Sequence, residues 1–148
     1  MRLTFAGAPE IPAPRDLVWR RLTDPEFVAR SAPGVESVER IDDTHFKVMS
    51  GFGVGPFKLH LALDVELGNL IPPTSLTMRT RGHAPGSTIE VGADVRLEPV
   101  DGSRTRLTWT AETEVNGFAA GIGAPFLESV ARKLTDHFWQ AFAEAAGR

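Results

Sequence analysis

Apolar and polar residues alternate along the middle of the chain. Over residues 57–67, apolar side chains occupy every odd position. A period of two places one face of a β-strand in a core and the other in water. Shorter alternating runs continue on both sides of this segment, separated by turn residues such as Asp42-Asp43-Thr44 and Asp101-Gly102. The predicted strands are residues 35–41, 45–50, 57–67, 75–81, 87–98 and 104–115.

The two ends of the chain follow other patterns. Residues 2–12 alternate loosely before a group of prolines, which predicts a first strand that ends in a stiff turn. A short amphipathic helix follows from Arg15, and Asp24-Pro25 is a good start for a second one. After Pro125, apolar residues recur at steps of three and four, which predicts one long helix. Its apolar stripe is Phe126, Leu127, Val130, Ala131, Leu134, Phe138, Ala141 and Phe142.

These elements predict an α+β fold of the helix-grip kind. Strands joined by tight turns pair antiparallel, and a sheet with one apolar face buries the apolar stripe of the helix. Long strands twist strongly, so we expect the sheet to curve around the C-terminal helix, with the two short helices after the first strand. No repeat, linker or change of composition divides the chain, and we expect one domain over residues 1–148.

The amino-acid composition excludes several classes of function. A formal charge of −3 and a pI near 5.8 leave no excess of positive charge for nucleic acid. The chain has no cysteine, and therefore no disulfide, thiolate nucleophile or cysteine metal site. The first residues lack the apolar segment of a signal peptide, and no run reaches the ~20 apolar residues of a membrane span. We expect a cytoplasmic protein without metal or cofactor.

Candidate catalytic residues are few. The four histidines lie on different predicted elements, and only His137 adjoins the apolar helix stripe, where it could meet a ligand headgroup. Asp64, Glu66, Asp94 and Glu112 take outward positions of amphipathic strands, which favours a solvated face over an acid pair. Arginines on the same face could form cross-strand ion pairs or a docking surface. Glycine-rich residues 51–56 are interpreted as a bend of the sheet or a loop over a cavity mouth.

Several segments resemble one family. They are Ala13–Trp19, Leu22–Glu26, Ala32–Ser37, Gly53–Lys58 and Ala131–Asp136. Their order resembles the SRPBCC, or START-like, superfamily, and specifically its carbon monoxide dehydrogenase CoxG branch, called the CoxG-like family. The resemblance implies a helix-grip fold and an accessory protein of molybdenum hydroxylases of the carbon monoxide dehydrogenase type. It also implies a hydrophobic cavity for a lipophilic molecule of the quinone, isoprenoid or acyl type.

The inward-facing residues could form either a solid core or the wall of a cavity, and the resemblance favours the cavity. Small residues, namely Gly82, Gly92, Ala93 and Ala111, would make room in it, and Thr80 or Thr113 could give specificity. The predicted ligand-binding residues are Phe57, Leu59, Leu61, Met78, Val91, Ala93, Leu107, Trp109, Phe126, Val130, Leu134, His137 and Phe138.

The leading hypothesis is a non-enzymatic lipid-binding or quinone-binding carrier. Its partners would be the apolar ligand and a larger oxidoreductase, and a transient contact with a membrane surface stays open. One alternative is a docking or maturation factor for such an oxidoreductase, acting through the outer sheet face or Trp139. The other is a small hydrolase or cyclase, which would need an acid or base facing inward.

Overall fold

The computed structural model of the chain describes residues 1–32, 34–54 and 57–147, and in these ranges all side chains except those of residues 52–54, 57–59, 118 and 119. Three α-helices and eight strands occur within the described residues. The strands are β1 (Arg2–Gly7), β2 (Glu10–Ile11), β3 (Val35–Arg40), β4 (His45–Val54), β5 (Phe57–Ile71), β6 (Ser75–Ala84), β7 (Ser87–Asp101) and β8 (Arg104–Gly117). The helices are α1 (Arg15–Leu22), α2 (Pro25–Ser31) and α3 (Ala124–Ala146), with a 3-10 helix at Phe118–Ile122 before α3.

The strands form one antiparallel sheet in the order β1-β8-β7-β6-β5-β4-β3, and β2 also pairs with β8. This confirms the predicted curved antiparallel sheet with a long C-terminal helix. Strands β5 and β7 have 15 residues each and would span ~50 Å if straight. The 23 residues of α3 span only ~35 Å. Strands longer than the helix that they cover bend around it, which explains the curvature.

The helix starts follow local chemistry. The carboxylate of Asp24 accepts hydrogen bonds from the backbone N–H groups of Glu26, at 3.1 Å, and Phe27, at 3.4 Å, and Pro25 takes the first helical position. This satisfies donors that have no partner inside the helix. Helix α3 begins at Ala124, one residue before Pro125. The segment before α3, which has no predicted structure, forms the 3-10 helix.

A solid core fills one end of the sheet, which we call the closed end. This end carries the β5–β6 and β7–β8 connections, β2 and the last turn of α3. Ile11, Val18, Leu107 and Phe142 have no exposed surface there. Buried Thr105 donates a hydrogen bond from Oγ1 to the carbonyl oxygen of Ala13 at 2.8 Å. The closed end thus ties α1, α2 and α3 to the sheet.

The outer face of the sheet carries rows of charge, as the sequence predicts. One row crosses seven strands, because the register aligns its members from edge to edge. Arg81 and Glu90 approach to 3.8 Å, and the terminal ammonium group of Met1 bonds the carboxylate of Glu114 at 3.1 Å. Such exposed pairs are worth about 0.2–1 kcal/mol each. The row is Glu39, Lys47, Asp64, Arg81, Glu90, Glu114 and Arg2.

The β3–β4 turn contains a charge pair that segment spacing did not reveal. Asp42 lies 2.9 Å from Nδ1 of His45 and accepts backbone N–H bonds from Thr44 and His45, each at 2.8 Å. The backbone bond from Thr44, followed by the bond to His45, lowers the pKa of Asp42 to about 2. The hydrogen bond to Asp42 raises the pKa of His45 above 6.5. The pair is exposed and holds the turn.

Truncation of Phe142 should reveal how strongly the closed end anchors α3. We expect Phe142→Ala to lower the free energy of unfolding by about 3–5 kcal/mol, since the ring is fully buried. The matched variant Phe126→Ala, where the side chain is 45% exposed, should cost about 1 kcal/mol or less. Urea denaturation of both variants measures the difference. Equal losses would contradict a helix anchored at one end.

The stability contributed by the Asp42–His45 pair should fall at both low and high pH. Stability from Asp42 is present above its ordinary pKa of 3.8 and is lost as the pH falls toward about 2. Stability from His45 is present below 6.5 and is lost as the pH rises through its raised pKa in the folded protein. We expect Asp42→Asn to bring the pKa of His45 back toward 6.5 in an NMR titration. The control Asp43→Asn should leave it in place; an equal change in both variants would refute the assignment.

Candidate functional site

Burial of the inner sheet face changes from one end to the other. At the closed end, Leu97 and Leu107 are about fully buried, with 1% and 0% exposure. Toward the opposite end, which carries the β6–β7 connection and the start of α3 and which we call the open end, burial is uneven. Leu61 and Val91 are only half-buried there, whereas Leu3 and Val115 are buried. The packed core therefore does not extend over the whole inner face.

The apolar stripe of α3 shows the same change. Phe142 and Ala146 are buried, whereas Val130, Leu134 and Phe138 are half-buried and Phe126 is 45% exposed. The closest neighbours of α3 include α1, α2 and β2, which lie at the closed end. The helix is thus packed tightly at its C-terminal end and less tightly along its N-terminal half.

Both gradients indicate a space between the sheet and α3. Val91 lies on the inner face of a central strand, with Thr80 and Thr113 as its cross-strand neighbours. Val91 is half-buried there. The described residues that face this space are apolar apart from a few hydroxyls. A concave sheet face with apolar side chains opposite a helix is the kind of place where small-molecule sites occur.

Three hydroxyl groups face the same space. Thr80 and Thr113 flank Val91 in one cross-strand row, and Ser50 lies on the inner face of β4. None of the three makes a hydrogen bond to another described residue. Among the described residues, the buried side-chain polar atoms without a hydrogen-bond partner are Trp109 Nε1 and Arg21 Nε. The three hydroxyl oxygens are not among them, so each keeps some accessible surface. The hydroxyls are therefore available to a polar group that enters the space.

Aromatic rings form the floor of the space at its boundary with the core. The rings of Trp109 and Trp139 are stacked with their centres 6.2 Å apart, and the ring of Phe138 meets that of Trp139 edge-on with a centre-to-centre distance of 4.8 Å. A Cβ on Gly7 would lie 2.7 Å from Nε1 of Trp109, so this position takes glycine to let the indole lie on the strand. Trp139 is half-buried in this cluster, so only part of its indole is open to the docking role suggested by the sequence.

The structure distributes the predicted ligand-binding residues over three environments. Leu61, Val91, Val130 and Leu134 are half-buried and face the space, and Phe126 lies exposed at its open end. Met78, Trp109 and Phe138 pack against the core at the floor, beside Ala93, which is 9% exposed. Leu107 is part of the closed-end core and has no exposed surface. The side chains of Phe57 and Leu59 lie outside the described residues.

Three other expectations need correction. His137 is on an exposed position of α3, so a role inside the space does not follow from its neighbourhood to the stripe. Gly92 lies on the outer face. Gly82 is buried on the inner face but adds no room, because a Cβ there would be 2.4 Å from Ile89 Cγ2 and 2.8 Å from Leu63 Cδ2. Gly82 lets these two side chains meet across β6.

Acid–base and metal chemistry find little support in the described part of the chain. The described inner positions of the sheet carry no acidic or basic side chain, and no group of three or more histidine or carboxylate residues there could hold a metal ion. His60 is exposed and pairs with Glu36 at 3.1 Å on the outer face. None of the described helices is long and apolar enough to cross a lipid bilayer.

A groove of about 1120 Å³ lies on the outer face of the sheet. Its floor is made of small residues, including Gly92 and Thr110, and its walls carry charges of both signs, such as Arg79 and Glu112. The described lining comes from strands alone and is mainly polar. A groove with this lining does not suit an apolar ligand.

The family model for the carbon monoxide dehydrogenase protein CoxG matches residues 7–147 of the chain. The chain belongs to the CoxG family. This match includes all strands and helices that border the space except β1, whose last residue it reaches. No curated protein matches the sequence.

Solved structures place this CoxG family member among START-like folds. A conserved protein from Geobacillus kaustophilus has 25% identity and a TM-score of 0.91, covering 97% of this chain and 95% of its own. The Zhui aromatase/cyclase from Streptomyces sp. has 21% identity and a TM-score of 0.74, covering 100% and 95%. A START superfamily protein from Mycobacterium smegmatis has 11% identity and a TM-score of 0.73, covering 97% and 96%. The last two show the fold alone.

Uneven anchoring of α3 should appear in hydrogen exchange. We expect backbone amides of residues 126–134 to exchange faster than those of residues 138–146, because the first segment buries less apolar surface. Mass spectrometry of overlapping peptides from the folded protein measures both segments in one experiment. Uniform protection along α3 would show that the helix opens only as a unit and would contradict the gradient.

Proposed function

We propose that this CoxG family member is a carrier that holds a lipophilic small molecule between its sheet and α3. The observation that carries the proposal is the half-burial of apolar residues on both sides of the space, from Val91 on the sheet to Leu134 on the helix. An apolar ligand would complete this burial. Each Å² of apolar surface removed from water contributes roughly 25 cal/mol, so a ligand of ordinary size gains substantial affinity from contact alone.

The hydroxyls define which apolar molecules suit the space. Ser50, Thr80 and Thr113 have free hydrogen-bonding capacity, and a molecule with one or a few oxygen acceptors would use it. Quinone, isoprenoid and acyl compounds combine a long apolar part with such oxygens. Family membership supports this class of ligand and an accessory role to a carbon monoxide dehydrogenase-type molybdenum hydroxylase in the cytoplasm.

A non-enzymatic role fits the inner face better than catalysis. A hydrolase or cyclase needs an acid or base within hydrogen-bond reach of its substrate, and the described inner positions of the sheet offer threonine and serine hydroxyls instead. The outer groove supports one alternative function, that of a docking or maturation factor. Its charged walls suit protein contact, which is what a docking or maturation factor for an oxidoreductase would use.

Ligand binding can be tested with one pair of variants on a single strand. Ala111 faces the space and Thr110 faces the outer side, so the same new side chain has opposite consequences at the two positions. We expect Ala111→Phe to weaken binding of decylubiquinone and of a fluorescent fatty acid by roughly tenfold or more, since the ring takes up ligand volume. The control Thr110→Phe should change the affinity less than about twofold.

The readout is quenching of tryptophan fluorescence, since Trp109 and Trp139 form the floor of the space. Circular dichroism establishes that both variants are folded. Native mass spectrometry of protein purified without detergent gives an independent measurement of any bound molecule. Absence of saturable binding by either probe, together with a mass equal to that of the polypeptide, would sink the carrier proposal and leave the docking alternative.

A further inference from the structure

Two arginine side chains converge on one aromatic ring at the surface of the closed end. Cζ of Arg21, in the last turn of α1, lies 5.0 Å from the ring centre of Phe27. Cζ of Arg30, in the last turn of α2, lies 5.8 Å from the same centre. The two guanidinium groups are therefore no more than about 11 Å apart. Phe27 itself is fixed, because it is 7% exposed and meets Phe142 edge-on at 5.4 Å.

Neither guanidinium group has a carboxylate partner among the described residues. The acidic side chains on the same elements are Asp16, Asp24 and Glu26, and none forms an ion pair with Arg21 or Arg30. Asp24 is occupied as the N-cap of α2. Glu144, on the adjoining part of α3, is exposed and pairs with neither. Two positive charges that share one aromatic neighbour are thus without a carboxylate partner in a protein whose net charge is −3.

Burial prepares Arg21 for a ligand. Its Nε is buried and has no hydrogen-bond acceptor in the described structure. An unpaired buried donor costs free energy, and a packed side chain has already lost rotamer freedom during folding. The plane of the guanidinium group is consequently set before any ligand arrives, and its outer N–H groups need little further ordering. Pre-ordered arginine is well suited to bidentate bonds with oxyanions.

We infer that Arg21 and Arg30 form a binding site for a phosphate group, at the end of the molecule opposite the opening of the apolar space. A phosphate oxygen pair accepts from the Arg21 fork, while Arg30, which is exposed and free to turn, closes on the other oxygens. The bound dianion removes the repulsion between the two cations. Phe27 serves as the common support for both side chains through cation–π contact.

A simpler interpretation is that both arginines only complement the negative C-terminal ends of α1 and α2. This interpretation and the phosphate site differ in one measurable property. Helix ends require positive charge and nothing more, so they predict no saturable response to phosphate beyond that of ionic strength. A phosphate site predicts a response that depends on both side chains together.

The test is an NMR titration of the full chain with inorganic phosphate, with sodium chloride at matched ionic strength as reference. We expect the Nε–H signal of Arg21 to move saturably with phosphate only. Arg30→Gln, at an exposed position, should weaken phosphate binding by roughly tenfold, and Arg21→Gln by at least as much. Arg132→Gln, which removes an exposed arginine from α3, should leave the affinity unchanged within about twofold.

A second measurement identifies the source of the phosphate group. Sedimentation compares vesicles of phosphatidylcholine with vesicles that also contain phosphatidic acid. Cosedimentation with the second kind alone, lost in Arg30→Gln, would support a lipid headgroup; phosphate binding without cosedimentation would support a free or small-molecule phosphate. Equal responses to phosphate and chloride, or equal affinities in Arg30→Gln and Arg132→Gln, would overturn the site. None of these outcomes depends on the apolar ligand.

Discussion

The structure depends on the attachment of a long helix at one end. Phe142 is fully buried among residues of α2, β2 and the sheet, and this contact fixes the position of α3 over a sheet whose strands are longer than the helix. A helix held along its whole length would require inner side chains large enough to fill the gap everywhere. Here the packing stops near Trp109 and Phe138, and the sheet continues beyond it. The space is a result of where the packing ends.

Much of the fold follows from local sequence rules. The period of two over 57–67 places Val65 and Leu67 in the core, and Asp24 caps α2 as its residue type predicts. The exact extent of the strands did not follow. Strand β5 continues to Ile71, past the end of the alternation, because backbone pairing with β6 persists where side chains no longer show the pattern. The two-residue strand β2 lies among prolines, and only its pairing with β8 distinguishes it from a turn.

The sequence predicts which residues lie on the inner face of the sheet, but not how far each of them is from the packed core. Alternation correctly separates inner from outer positions, which is why Leu61, Val91 and Trp109 lie on the side of α3. It cannot distinguish Leu107, in the solid core, from Val91, beside the space, since both have the same pattern and differ only in distance from the closed end. Small residues mislead for a similar reason. The side chains of Ile89 and Leu63 occupy the space beside Gly82, and such a tertiary contact cannot be predicted from local sequence.

The two faces of the sheet differ in chemistry, and consecutive residues of one strand lie on different faces. Ala111 and Glu112 are consecutive in β8, yet Ala111 lies on the inner face of the sheet and Glu112 on the charged outer face. The separation between ends has a consequence for evolution. Replacements at the open end should cost little folding free energy, because the packed core lies mainly around Phe142. A lineage with this architecture can therefore vary its open end through nearly neutral substitutions, while its closed end stays under strict selection.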